Sequence, residues 1–295
     1  FIFLDGVGIG PADPQVNPFF RAPLPTLRSL LGGALPYTES PEVWSASAVA
    51  FPLDACLGVE GLPQSGTGHT AILTGENGPA LYGRHFGPWV PVKLRPLVQE
   101  ETLLVRAQAR GARCAFANAY PREFHGSRWA RRPAGPPLAA GAAGLMDRQG
   151  EALARGEALS SEIVNTTWRK HLGYGDIPEI TPFQAGGNLA RITAGADLTF
   201  FAHYHTDHAG HRGRMEGGVE ALERVDAFLA GLLDGLAPDT LLVLASDHGN
   251  LEDIRSGHTR NPALGLLAGP RARDRRDGLR DITQLSELIL DTLAD

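Results

Sequence analysis

The chain has 295 residues, of which 43% are hydrophobic, and a formal net charge of −6 at pH 7. This size and apolar content allow a large core, in one domain or in one domain that carries an insert. The acidic balance argues against general binding of nucleic acid or anionic membranes, but not against a small anionic substrate, because a local metal ion or arginine outweighs the global charge.

The remaining composition narrows the class of protein. Cys56 and Cys114 are the only cysteines, which excludes a cysteine-based zinc site and disfavours a disulfide framework. No apolar run reaches transmembrane length, and no charged segment precedes a signal-type apolar run. We therefore expect a cytoplasmic protein.

Short apolar runs and helical patterns organise the first 120 residues. Residues 1–4 and 48–51 read as buried strands. Residues 64–74 begin polar and glycine-rich and continue as a helix, residues 97–109 predict a helix, and residues 113–118 predict a strand.

The composition changes over about residues 121–160. Arg128, Arg131 and Arg132 make its beginning basic, and residues 133–144 are rich in Ala, Gly and Pro. We interpret 121–184 as an inserted cap or lid on a catalytic core made of residues 1–120 and 185–295. Helices are predicted at residues 160–171 and 188–194.

The last third alternates strands with helices. Strands are predicted at residues 198–202, 240–245 and 264–268. An amphipathic helix is predicted at 216–236, where apolar residues recur at helical spacing. A final helix is predicted at 281–293 with Asp281 as its N-cap. This alternation predicts an α/β fold with a mainly parallel, doubly wound sheet flanked by helices.

Carboxylates and imidazoles follow several of the predicted strands, on loops at their carboxyl ends. The set comprises Asp5, Asp207, His211, Asp247, His248 and His258. Mixed nitrogen and oxygen ligands suit Mn or Zn better than Ca. Six ligands are too many for one catalytic ion but suit a pair of ions ~4 Å apart, which stabilises attacking and leaving oxygens at phosphorus.

Ser65 is the candidate nucleophile of such a site. It lies on a glycine-rich turn at a predicted helix start, where unpaired backbone N–H groups and the helix dipole favour a phosphate. Thr67 on the same turn is a rival nucleophile, and Ser65 could instead be a helix N-cap. His69 either positions Ser65 or only packs.

The motifs resemble those of the alkaline phosphatase superfamily, in particular the branch of cofactor-independent phosphoglycerate mutase and phosphopentomutase. Ser65 stands four residues before His69, as the nucleophile does in that branch. The opening Asp5-Gly6, the Asp-x-x-Gly-His string of residues 207–211 and the Asp-His-Gly-Asn string of residues 247–250 follow in the same order. His258-Thr259 with Asn261-Pro262 completes the series.

The resemblance implies an alkaline-phosphatase-like core and a division of ligands. One metal ion would be held by Asp207, His211 and His258, and the other by Asp5, Ser65, Asp247 and His248. Ser65 would attack the phosphoryl group, form a phosphoserine and pass the group to water or to a second hydroxyl.

The match covers residues 1–85 and 195–268. A lysine usually found just before the Asp-x-x-Gly-His strand is absent, since Asp197-Leu198-Thr199-Phe200 stands there. The missing lysine and the small insert argue against mutase chemistry more than against phosphoryl transfer. We expect a two-metal phosphoryl-transfer enzyme, phosphoglycerate mutase-like or a phosphatase. The alternatives are a phosphopentomutase-like sugar-phosphate mutase and a non-catalytic metal- or phosphate-binding sensor.

The expected cofactors are two divalent ions, Mn first and Zn second. The expected partner is a small phosphorylated metabolite, with no nucleic acid or membrane, for a monomer or homodimer. Substrate-binding candidates are Arg128, Arg131, His125 and His205. The arginines could instead form a solvated basic loop, and His205, with its neighbours His203 and His208, could be structural. Tyr120 and Arg84 are weaker pocket candidates.

Overall fold

The computed structural model describes residues 1–255 and 257–294. Its strands are β1 (Ile2–Leu4), β2 (Val43–Trp44), β3 (Ala48–Leu53), β4 (Cys114–Phe116), β5 (Leu198–His203), β6 (Leu242–Ala245) and β7 (Ala263–Ala268). Its α-helices in the first half are α1 (Pro18–Arg21), α2 (Pro25–Leu30), α3 (Ser65–Thr74), α4 (Gly78–Tyr82), α5 (Arg95–Glu101), α6 (Leu103–Ala109), α7 (Arg128–Arg131) and α8 (Gly135–Ala142).

The second half continues with α9 (Gly150–Ala154), α10 (Thr166–His171), α11 (Pro182–Thr193), α12 (His205–Arg212), α13 (Met215–Gly235), α14 (Ala272–Arg276) and α15 (Leu285–Thr292). Short 3₁₀ segments lie at Val92–Leu94, Arg122–Gly126 and Ile282–Gln284. Asp281 caps the last of these, directly before α15. Among the described residues, no helix is both long and apolar enough to cross a membrane.

The strands form one mixed sheet in the order β2-β3-β7-β6-β1-β5-β4. The α/β class is confirmed, and the pairings β6-β1, β1-β5 and β5-β4 are parallel as expected. The pairings of β7 with β6 and β3, and of β2 with β3, are antiparallel. A parallel pairing needs a crossover, usually a helix, and the described part of the chain between β6 and β7 holds none.

Helices cover both faces of the sheet, so its central strands are buried on two sides. In β1, Ile2 and Leu4 face one apolar cluster while Phe3 faces the other. In β5, Phe201 joins the first cluster, and Leu198 with Phe200 joins the second. Alternating side chains that are all buried explain why these strands read as continuous apolar runs.

Two glycines let α11 and α13 cross at backbone contact. A Cβ atom on Gly231 would lie 1.9 Å from the carbonyl oxygen of Phe183, and one on Gly186 would lie 2.1 Å from that of Phe228. Both distances are far inside van der Waals contact, and backbone atoms cannot move aside as a flexible side chain does. The pair therefore fixes how closely α11 packs on α13, the helix that follows α12.

We expect Gly231→Ala to destabilise the fold, because the two helices must separate to admit the methyl group. Overpacking of this kind costs about 1–3 kcal/mol or more. Gly217→Ala is the matched control on the same helix, because no atom lies within 4 Å of its added Cβ; it should stabilise by up to about 1 kcal/mol. Urea denaturation of both variants measures the difference, and equal stabilities would contradict this view of the crossing.

The segment interpreted as a cap contributes to the core as well as to a separate small cluster. Helix α8 packs against α3, α5 and α6, and Ala139 and Ala140 are buried in the core there. A third cluster gathers around Trp168 and Leu153. The boundary between residues 184 and 185 falls inside α11, and the division into core and cap stays a prediction.

Two of the predicted helices are interrupted, and the one predicted at residues 188–194 begins earlier, at Pro182. Residues 97–109 form two helices, because Thr102 adopts extended backbone (φ −63°, ψ 144°) between them. Residues 160–171 are helical only from Thr166, since Ile163 has a φ of +73°, in the left-handed region that opposes a right-handed helix. Glu162 instead accepts hydrogen bonds from the backbone N–H and hydroxyl of Thr167, in the first turn of α10.

Candidate metal centre

Two strand ends and one helix start bring Asp5, Asp247, His248 and Ser65 together. Asp5 directly follows β1, and Asp247 and His248 follow its neighbour β6. Ser65 is the first residue of α3. The Ser65 Oγ lies 3.1 Å from Nε2 of His248 and 3.4 Å from Oδ1 of Asp5. Nε2 of His248 is 3.4 Å from both Asp5 Oδ1 and Asp247 Oδ2.

Two ligands of a second group, Asp207 and His211, lie on helix α12, where we predicted a loop. Asp207 and His211 are one helical turn apart on α12, and Oδ2 of Asp207 is 3.3 Å from Nε2 of His211. Nε2 of His258 lies 3.4 Å from Asp207 Oδ1 and 3.1 Å from His211 Nε2. The Thr206 hydroxyl donates to the Asp5 carbonyl oxygen at 2.6 Å and so fixes the start of α12 against the end of β1.

Backbone carbonyls define which ring nitrogen of two histidines faces the centre. Nδ1 of His258 is 2.8 Å from the Pro63 carbonyl, and Nδ1 of His248 is 3.2 Å from the Gly249 carbonyl. Because a carbonyl only accepts, each Nδ1 carries the proton. In the neutral rings Nε2 therefore keeps its lone pair, as a metal ligand requires.

Burial and close spacing shift the pKa values of Asp5, Asp247 and His248. Burial raises the pKa of Asp247, and the nearby Asp5 carboxylate raises it further. Burial alone would lower the pKa of His248, but the carboxylates of Asp247 and Asp5 outweigh it and raise the pKa. For Asp5, the contacts with His248 and His69 outweigh burial and hold the pKa well below its usual range.

The donor set fits divalent metal ions. Asp5, Asp207 and Asp247 are all buried, and among the described residues their ion-pair partners are imidazoles rather than Lys or Arg. Oδ2 of Asp247 is completely buried and has no hydrogen-bond partner. Buried carboxylates without such compensation are costly unless they bind a cation.

The ligand atoms form two adjacent groups. Those of Asp207, His248 and His258 lie within 4.8 Å of one another, and so do those of Asp5, His69 and Asp247. The rings of His248 and His258 stack at 3.9 Å between the groups. His248 thus faces both groups, whereas the resemblance implied a place with Asp5 and Asp247 alone. His69, predicted to position Ser65 or to pack, faces the carboxylates.

Two residues that support the centre had no predicted role. The amide of Asn250 donates to Asp207 Oδ1 at 2.6 Å. Glu252, completely buried, accepts from the backbone N–H groups of Gly8 and Asn250 at 2.9 and 2.7 Å. Both follow the Asp247-His248 pair within five residues, but only the fold shows which loops they join.

The predicted substrate-binding residues are more scattered. The side chains of His125 and Arg128 lie outside the described residues. Arg131 is exposed on α7. His205 lines a cleft of about 810 Å³ with Arg212 and other residues, and two helical positions separate it from Asp207, which places it on nearly the opposite face of α12. Substrate contacts by these residues stay a prediction.

The two weaker pocket candidates make other contacts. Tyr120 packs against Phe116 and Phe124. The Arg84 guanidinium lies over the ring of Tyr82. The contacts with Phe116, Phe124 and Tyr82 are local to their own segments, whereas the Tyr120 hydroxyl also faces that of Tyr204, close to the Asp5 and Asp247 carboxylates.

Comparison with known proteins finds similarity to metalloenzymes and phosphomutases over part of the chain. Residues 188–288 match the model of the Metalloenzyme superfamily. A 2,3-bisphosphoglycerate-independent phosphoglycerate mutase of Mycoplasmopsis pulmonis is 27% identical over 145 residues, which are 46% of this chain and 28% of that protein. A phosphopentomutase of Methylobacterium nodulans is 43% identical over 79 residues, which are 25% of this chain and 19% of that protein. The chain thus aligns with less than a third of either relative.

Solved structures support the fold. The PH0037 protein of Pyrococcus horikoshii superposes with a TM-score of 0.57 at 13% identity, covering 99% of this chain and 95% of that one. Alkaline phosphatase from the Antarctic bacterium TAB5 gives a TM-score of 0.52 at 13% identity, covering 99% and 97%. The alkaline-phosphatase-like fold and the resemblance to the mutase branch are therefore confirmed.

Proposed function

We propose that this chain, which carries a Metalloenzyme superfamily domain and the fold of alkaline phosphatases, is a two-metal phosphoryl-transfer enzyme acting on small phosphate esters. The observation that carries the proposal is the position of Ser65. Its buried hydroxyl lies within 3.4 Å of Asp5 and 3.1 Å of His248, at the first residue of a ten-residue helix.

The surroundings of the two hydroxyls favour Ser65 over Thr67 as the nucleophile. The Thr67 hydroxyl lies 3.2 Å from the Gln64 carbonyl and accepts from the Phe86 N–H at 3.1 Å. It therefore holds the loop at Phe86 against α3. The Ser65 hydroxyl instead faces the carboxylate and imidazole of the centre.

The metal ions would be held by Asp207, His211 and His258 on one side, and by Asp5, Ser65, Asp247 and His248 on the other. When bound, they supply positive charge to the phosphate and lower the pKa of the Ser65 hydroxyl. We propose Mn as the physiological ion and Zn as the alternative, from the mixed nitrogen and oxygen donors.

The chain's own residues then carry the transfer. Ser65 loses its hydroxyl proton, and its Oγ forms a bond to phosphorus. The bond from phosphorus to the ester oxygen breaks, and the departing alcohol takes up a proton, so that no proton is gained or lost overall. The backbone N–H of Thr67 donates to the Phe86 carbonyl at 2.9 Å. The N–H groups of Ser65 and Gly66, the first two residues of α3, have no acceptor within the helix and can bind phosphate oxygens. Water or a second hydroxyl next attacks the phosphoserine and restores Ser65.

Hydrolysis and mutase chemistry differ in what accepts the phosphoryl group. A mutase must keep water out while its intermediate reorients, which takes a closed cap. Part of the 121–184 segment, helix α8, is packed into the core, so less of it is left to cover the centre. This favours a phosphatase, with a phosphoglycerate mutase-like or phosphopentomutase-like reaction as the second candidate because of the relatives.

The proposal is tested with metal-free protein reloaded with Mn²⁺ or Zn²⁺ and offered sugar phosphates, phosphoglycerates and p-nitrophenyl phosphate. We expect metal-dependent turnover of at least one ester. Released phosphate identifies a phosphatase, and an isomer seen by ³¹P NMR identifies a mutase. Metal binding without turnover of any ester would contradict an enzyme and favour the metal- or phosphate-binding sensor.

A further inference from the structure

His69 is held on three sides in the interior of the protein. Its side chain is 1% exposed, and its ring meets the Phe3 ring edge to face at 4.9 Å. Nδ1 accepts a hydrogen bond from the backbone N–H of Gly135 at 3.2 Å. Nε2 lies 3.6 Å from Oδ2 of Asp5 and 3.4 Å from Oδ2 of Asp247.

The Gly135 contact decides the tautomer of His69. A backbone N–H can only donate, so Nδ1 must present its lone pair, and the proton of the neutral ring is on Nε2. This is the opposite of His248 and His258, whose Nδ1 atoms face carbonyl oxygens. Those two rings offer an Nε2 lone pair to the centre, whereas His69 offers an N–H.

We propose that His69 does not bind a metal ion but is a positioning residue for two metal ligands. Its Nε2–H is buried between Asp5 Oδ2 and Asp247 Oδ2, which lie 3.6 and 3.4 Å from Nε2, and forms no hydrogen bond to any other group. Its N–H dipole attracts these two oxygens, while Oδ1 of Asp247 accepts from the Gly6 N–H at 3.3 Å; together these donors orient the carboxylates, as outer-shell partners do in metal sites. The inference rests on the proposed function.

Gly135 connects His69 to the segment interpreted as a cap. It is the first residue of α8, and a Cβ atom there would lie 2.4 Å from the Cβ of His69. Only glycine brings the backbone N–H close enough to hold Nδ1. The start of α8 therefore determines the orientation of the ring and, through it, of both carboxylates.

The tautomer is measured directly by long-range ¹⁵N–¹H NMR of histidine-labelled protein, metal-free and loaded with diamagnetic Zn²⁺. His69→Gln identifies the signals of His69 by their loss. We expect His69 to keep its proton on Nε2 in both states, while the rings of His248 and His258 change their ¹⁵N shifts on loading. Loss of the Nε2 proton with a metal-induced ¹⁵N shift at Nε2 of His69 would show that it is a ligand and overturn the inference.

Metal affinity of matched variants gives a second measurement. His69→Leu should weaken Zn²⁺ binding by about 10–100-fold, the usual effect of removing an outer-shell partner. His69→Gln should recover part of that loss because its amide nitrogen reaches the position of Nε2. A merely structural histidine would show no such rescue, and equal affinities in the two variants would contradict a positioning role.

The glycines of α8 supply a pair of variants in which His69 itself is not substituted. Gly135→Ala should weaken Zn²⁺ binding because the methyl group displaces the ring. Gly141→Ala on the same helix should not, since its added Cβ meets only Met146 at 3.9 Å. Wild-type protein that binds no divalent ion would refute the proposed function itself, whereas Zn²⁺ binding that is unaffected by Gly135→Ala would refute only the role of His69.

Discussion

Replacing Ser65 by alanine is expected to abolish turnover of every phosphate ester while only weakening metal binding. The hydroxyl is the atom that bonds to phosphorus, and no other hydroxyl among the described residues of the α3 turn faces the carboxylates. Removal of a nucleophilic serine costs about 10⁶-fold in kcat in a well-studied protease, so a loss of at least about 10³-fold is expected here. The measurement is steady-state phosphate release, with metal content determined in parallel.

The control for this variant is Thr67→Val. Thr67 is fully buried and its hydroxyl bonds the Phe86 backbone, so its loss should lower the free energy of unfolding by about 1–3 kcal/mol. The folded variant should keep its activity. Full activity in Ser65→Ala, or loss of activity in Thr67→Val with normal folding and metal content, would contradict the assignment of the nucleophile.

The second large effect is expected for Glu252→Ala. Besides Gly8 and Asn250, the carboxylate accepts from the amide of Asn261 at 3.0 Å and from the Thr259 hydroxyl. It thus joins the loop after β1 to both ends of the β6–β7 connection, which carries Asp247 and His248 at one end and His258 at the other. Each buried donor left without a partner costs roughly 1–3 kcal/mol, so we expect unfolding to become easier by about 3–5 kcal/mol.

Metal affinity should fall with stability in Glu252→Ala, because these loops carry ligands of both groups. Added metal should restore part of the stability, since it binds only the folded form. Glu252→Gln keeps the volume and one carbonyl acceptor, so its loss should be smaller. Thermal unfolding with and without Mn²⁺ measures both effects; an alanine variant as stable as the glutamine variant would contradict the role of Glu252.

The sequence predicts the chemistry of the centre better than its architecture. Asp5, Asp247 and His248 could be found because each follows a recognisable apolar strand. The helix at Asp207 and His211 could not, because its histidines, threonine and glycine are weak helix formers. That helix is fixed by tertiary contacts, such as the hydrogen bond from Thr206 to Asp5.

Contacts between distant segments explain the other differences. The N–H of Gly135 reaches Nδ1 of His69 from 66 residues away, and Glu252 reaches Gly8 across 244 residues. Neither hydrogen bond can be predicted from a short stretch of the sequence. The antiparallel pairings could not be predicted either. A buried strand such as β7 has the same apolar sequence pattern whether it runs parallel or antiparallel to its neighbours.

The phosphoserine mechanism is tested most directly by mass spectrometry of the Mn²⁺-loaded protein, stopped with acid shortly after mixing with the ester that it turns over. We predict an added phosphoryl group on the peptide that contains Ser65, located at Ser65 by fragmentation and absent from Ser65→Ala. Rapid turnover with no phosphorylated peptide at any stopping time, or with the phosphoryl group on another residue, would contradict a phosphoserine mechanism at this centre.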